Sequence, residues 1–143
     1  MRTRVPEYRG FYELLREHVA GYRGEFDEVV ALAPDFFRLL TNLLEDGRVP
    51  AQARRLITAA LAYFVAPFDV EPEEIYGPRG YLDDVFLCAY VLQELQSFVP
   101  SAVLEDAWEA EFELAPTVRA VLERATAALG SKRDDVLRYV GLI

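Results

Sequence analysis

Leu56-Ile57-Thr58-Ala59-Ala60-Leu61-Ala62-Tyr63-Phe64-Val65-Ala66 carries no charge and is apolar around the whole helical circumference. A helix with no polar face belongs in a protein core or in lipid. The uncharged run from Leu56 to Phe68 falls well short of the roughly 20 residues that a bilayer crossing needs. A second run, Val85 to Leu92, is shorter still. The two therefore read as central helices of a bundle, the first from Ala51 to Ala66 and the second from near Tyr81 to before Pro100. No transmembrane segment is expected.

Outward from this pair, the spacing continues to read as helix. Tyr8, Phe11, Tyr12, Leu15, Val19 and Tyr22 recur at three- and four-residue steps after Pro6, and Gly21 and Gly24 close that segment. A short turn through Phe26, Val29 and Val30 precedes a helix that opens at Pro34, places Phe36, Phe37, Leu40, Leu43 and Leu44 on its buried face, and stops at Gly47. A fifth helix from Ser101 is expected to carry Leu104, Ala107, Trp108 and Phe112 inward. Pro116 opens a sixth, with Val118, Val121, Leu122, Ala125 and Leu129 inward up to Gly130. Ser131 and Asp134 resemble a capping box before a last helix holding Val136, Leu137 and Val140. No stretch alternates in the manner of a strand, and no repeat is visible. The expectation is an all-α, single-domain bundle over residues 1–143, with about six or seven helices around a buried antiparallel helical hairpin.

Composition agrees. The chain has 143 residues, 52% hydrophobic and 27% charged, so a core can form without staples, since folding at this length buries roughly 68–70% of the unfolded surface. Cys88 is the only cysteine, which excludes an internal disulfide and a cysteine zinc cluster. Arg2 and Arg4 lead into no apolar stretch, so no secretory leader and a cytoplasmic location are expected.

The net charge of -9 is unevenly spread. Residues 1–66 hold nine basic and nine acidic side chains, whereas Asp69 to Glu113 holds twelve acidic residues and one basic, Arg79. Such a stretch repels phosphate, so no nucleic-acid partner is expected. The same net charge disfavours anionic lipid surfaces, and peripheral membrane contact through the apolar hairpin ranks as a third, weaker idea.

Residues 67–80 break the bundle pattern, with fourteen residues, three prolines and two glycines between two apolar helices. Connections in bundles usually take about 2 to 8 residues. If the helices are antiparallel, Asp69 lies near Asp83 and Asp84. Three carboxylates suit Mg²⁺ or Ca²⁺, which take hard oxygen ligands. The plainer use of Asp83 and Asp84 is in the first helical turn, where the helix dipole favours negative charge, with Asp69 capping loop amides. Adjacent helical residues project about 100° apart, which works against their sharing one ion. Tyr63 and Tyr81 flank this end, where a phenolic hydroxyl can bond an aspartate.

Ala62-Tyr63-Phe64-Val65-Ala66-Pro67-Phe68-Asp69-Val70-Glu71-Pro72, followed by Gly80-Tyr81-Leu82-Asp83-Asp84, resembles the YkvA-like family of small bacterial helical domains of unknown function. That family shows an apolar helix, a Pro-x-Asp-x-x-Pro turn, and Gly-Tyr-Leu-Asp-Asp opening a second apolar helix. The likeness covers about residues 51–95. It implies a helical hairpin with Asp69, Asp83 and Asp84 at one end, and carries no established activity or cofactor. Glu71, Pro72 and Glu73 depart from the family's usual aliphatic residue and Pro-Asp.

No complete catalytic constellation is present. His18, the only histidine, sits one position off the apolar stripe toward solvent, and Cys88 has no neighbouring cation to activate it. The reading that follows is a non-enzymatic interaction or regulatory module, with Glu71, Glu73, Glu74, Tyr76, Arg79 and the Glu105 to Glu113 surface facing a protein partner of unknown identity. The alternative is a divalent-metal-binding domain or metal-dependent hydrolase built on Asp69, Asp83 and Asp84.

Overall fold

The computed structural model describes residues 8–24, 26–65 and 81–143. Among them the chain forms seven helices and one isolated helical turn, with no strand: α1 (Tyr8–Val19), the turn α2 (Asp27–Val30), α3 (Ala33–Glu45), α4 (Ala51–Val65), α5 (Leu82–Leu95), α6 (Ser101–Ala107), α7 (Leu114–Leu129) and α8 (Lys132–Tyr139). The all-α expectation holds. The loop 67–80, and with it Asp69, Glu71, Glu73, Glu74, Tyr76 and Arg79, lies outside the described residues.

One continuous cluster of buried apolar side chains draws on every helix. Its axis is α5, which packs against α2, α3, α4, α7 and α8. From Leu82 through Ala89 every residue of α5 is buried, and only Tyr90, Gln93 and Glu94 reach the surface. The helix has neighbours on all sides, which explains its lack of a polar face.

α4 departs from the reading of its sequence. Its buried residues, Ala53, Ile57, Ala60, Leu61, Tyr63 and Phe64, occupy one side, while Thr58 and Ala62 are exposed and Val65 is 44% exposed. Thr58 and Ala62 are small, so leaving that face wet costs little, and a stretch without charges was mistaken for one without a solvent face.

Phe112 also differs from expectation. α6 ends at Ala107, and Trp108 adopts extended geometry, so the chain leaves the helix before Phe112. The Trp108 indole N–H then donates to the Phe112 carbonyl at 2.7 Å, and the Phe112 ring stands 61% exposed. At the other terminus of α7, Gly130 ends the helix with φ +55, as a glycine cap should. The Ser131 side chain makes no cap hydrogen bond; backbone N–H groups of Arg133 and Asp134 reach back to Gly130 and Ser131 carbonyls instead, so the capping box does not form. Leu44 is only partly buried, because the α3 stripe turns past it at the helix end.

Candidate functional site

The end of α4 meets the start of α5 in a cluster of polar side chains under cover. Tyr63, on the last turn of α4, is 2% exposed. Its hydroxyl donates to Asp83 Oδ2 at 2.8 Å, and the Asp84 backbone N–H donates to Asp83 Oδ1 at 2.9 Å. Both Asp83 oxygens thus accept a hydrogen bond, which offsets the large cost of taking a carboxylate out of water. Asp83 is 0% and Asp84 1% exposed. They occupy the first turn of α5, where the helix N-terminus adds a favourable field. These two acidic residues do not belong to a solvated face.

Tyr81, immediately before α5, turns the other way. Its hydroxyl shares a 2.6 Å hydrogen bond with His18 Nδ1, with the two rings edge to face at 5.7 Å. His18 is solvent-exposed on α1, as its position off the apolar stripe predicts, yet it reaches the first residue of the cluster. Tyr139 of α8 sets its ring edge to face with Tyr63 at 5.8 Å. The sequence reading placed neither His18 nor Tyr139 here. Sequence separations this long carry no local spacing signal, and only the packing of α1 and α8 reveals the contacts.

Four residues further along α5, Cys88 is fully buried. Burial, and behind it the charge of Asp84, push its thiol well above the usual value, so the inert thiol read from its apolar surroundings holds. Among the described residues no three His, Cys, Asp or Glu side chains come together as a metal set. Asp69, the third predicted ligand beside Asp83 and Asp84, lies outside them.

The second acidic region is at the surface. Glu105, Asp106, Glu109, Glu111 and Glu113 are all exposed. Two of them recruit the basic residues of the first half. Arg38 pairs with Glu109 at 3.1 Å, joined by Asn42 at 2.8 Å, and Arg48 lies 3.3 Å from Asp106. Glu105, Glu111 and Glu113 have no ion pair among the described residues. The local excess of negative charge is therefore reduced across the fold, and what is left gathers around Phe112.

A family described as "Protein of unknown function (DUF1232)" matches residues 53–90, the span that runs from α4 through the buried aspartates into α5. Over its whole length the chain is similar to "Uncharacterized protein ORF9" of Methanothermobacter thermautotrophicus, 34% identical over 142 residues that cover 99% of this chain and 97% of that protein. The chain belongs to the same family as this archaeal protein. Members of that family so similar over nearly full length share the helical framework as well as the α4–α5 segment. No solved structure matches. Among the described residues no helix is long and apolar enough to cross a membrane.

Proposed function

We propose that the chain is a non-enzymatic protein-interaction module of the cytoplasm, in which the α4–α5 end is a structural clasp and the acidic surface faces the partner. One observation carries this reading. The carboxylate best placed for chemistry, Asp83, has both oxygens committed to internal hydrogen bonds at zero exposure, while Glu105, Glu111 and Glu113 stand in solvent around an exposed aromatic ring. A general base must reach the proton it takes, and a partner-facing group must reach the partner. Glu71, Glu73, Glu74, Tyr76 and Arg79 extend the same partner-facing side in this proposal. The finer likeness to the YkvA-like family rests on the quoted Pro67, Asp69, Pro72 and Gly80 to Asp84 pattern, and it is consistent with a module of this kind. The test is capture from lysate with wild type, a Glu105→Lys/Glu111→Lys/Glu113→Lys variant and a Glu71→Lys/Glu73→Lys/Glu74→Lys variant, with circular dichroism as the folding check. Loss of the same captured band in correctly folded variants supports the proposal, and capture unchanged in both rejects it.

A second reading is favoured by the depth of Asp84, 1% exposed beside Asp83 on a turn that directly follows residues 66–80. In it Asp69, Asp83 and Asp84 hold Mg²⁺ or Ca²⁺ as a binding domain or a metal-dependent hydrolase. It requires that millimolar Mg²⁺, Mn²⁺ or Ca²⁺ raise the melting temperature and that Asp83→Asn and Asp69→Ala each abolish the rise. A flat response in wild type eliminates it.

A further inference from the structure

Away from the clasp, α2 and the start of α3 form one wall of an open groove of about 460 Å³, and α7 forms the other. Thr117, Ala120, Val121 and Arg124 line the α7 wall at helical spacing, and Val29, Ala31 and Leu32 face them. Small residues on both walls keep the floor low. Phe112 lies at the lip, and its placement is built into the fold. Its carbonyl is held by the Trp108 indole, whose ring packs 5.5 Å from Phe36 in the core, and Leu114 two residues on is buried. The backbone is thus pinned on both sides while the ring stays exposed. A pinned aromatic beside an apolar trough has the form of a preorganised anchor, because its ordering cost is met before binding.

The charges choose the occupant. Arg124 is the only cation lining the groove, and Glu28 of the opposite wall neutralises it in an ion pair. Asp35 remains in the wall, and Glu111 and Glu113 flank the lip exposed. From Thr117 to Arg124 the wall is about 10 Å long at helical rise, room for about two to three turns of a crossing helix. We propose that this groove docks a basic amphipathic helix of a partner protein, its apolar face against Val29, Leu32, Val121 and Phe112 and its Lys or Arg residues toward Asp35, Glu111 and Glu113. This rests on the interaction reading above and names the chemistry of the partner.

The probe is a short fluorescent Leu/Lys peptide with an amphipathic helical pattern, compared with its Leu/Glu counterpart by anisotropy at low and high salt. Wild type is expected to bind the Leu/Lys peptide, more weakly as salt rises, and to leave the Leu/Glu peptide free. Ala120→Trp fills the trough from an exposed position, and Phe112→Ser removes the anchor. Each is expected to weaken binding about tenfold or more without lowering the melting temperature. Equal binding of the two peptides, or undiminished binding by both variants, overturns the inference. So does a wild-type dimer in sedimentation that Phe112→Ser makes monomeric, because the occupant is then a second copy. If the groove variants bind as wild type while the Glu105/Glu111/Glu113 reversal loses lysate capture, the groove fails and the interaction reading stands. If the groove variants lose the peptide while both reversals keep capture, the groove stands and the acidic-surface reading fails.

Discussion

The Tyr63 hydroxyl donates to Asp83 Oδ2 at 2.8 Å with neither side chain in contact with solvent, so the last turn of α4 and the first turn of α5 are joined by a bond that water cannot replace. Tyr63→Phe takes this bond from a buried carboxylate while keeping the ring that packs on Tyr139. The expected loss is about 1–3 kcal/mol in urea unfolding. Because both residues serve one bond, Tyr63→Phe/Asp83→Asn is expected to cost less than the sum of the single variants. Additive losses would mean that the contact is incidental.

Cys88 offers a readout of the same core from inside. Burial and the Asp84 charge keep its thiol protonated at ordinary pH, and it has no surface to offer a reagent. A disulfide thiol probe is expected to leave the native protein unmodified at mildly alkaline pH, and to react with one thiol per chain once denaturant passes the unfolding midpoint. Fast labelling of the native protein would place α5 nearer the surface than the packing has it.

The helical order of this bundle was legible because helix stops and apolar spacing are local. Pro34 near the start of α3, Gly130 after α7 and the buried run of α5 each announce themselves within a few residues. The same locality limits the reading. An uncharged run predicts burial for all of α4, yet Ala62 and Val65 face solvent, since exposed alanine is tolerated without a sequence mark. Phe112 was placed inward by continuing a helical period past Ala107, where Trp108 had already left the helix. At the candidate site, the bond between a tyrosine and an aspartate followed from the expected approach of α4 and α5, whereas His18 on Tyr81 depends on where α1 packs. Phe112 on its groove likewise depends on how α7 faces α2 and α3.

Arg54 ties the end of α3 to the start of α4. Its guanidinium donates to the Leu44 carbonyl, to the Asp46 carbonyl at 2.8 Å and to the Val49 carbonyl at 3.2 Å, which serves carbonyls that a helix end leaves without intrahelical partners. Arg54→Met keeps the aliphatic stem and is expected to cost about 2 kcal/mol. Arg54→Lys should recover less than half of that, because a single ammonium cannot span three acceptors fixed for a planar fork. Full rescue by lysine in thermal unfolding would reduce the role of Arg54 to its charge.

Asp35 is the one carboxylate in the docking groove whose charge the fold disfavours. Burial raises its pKa above the usual 3.8, with Arg38 first and then Arg16 pulling it back down. The sign follows from proton counting. The unfolded chain loses this proton near 3.8, and the folded chain holds it to higher pH. Between the two values the folded state binds more protons, and stability falls as pH rises through that window. At neutral pH the penalty is fully present. Asp35→Asn is therefore expected to raise neutral-pH stability modestly and to flatten this descent in urea unfolding measured across a pH series. Arg38→Met should steepen it, since Arg38, held 3.9 Å over the Tyr12 ring and paired with Glu109, is the main cation that favours the Asp35 charge. A stability profile left unchanged by Asp35→Asn would mean that the carboxylate is hydrated through the open groove. In that case the cation of a docked helix would gain nothing by covering it.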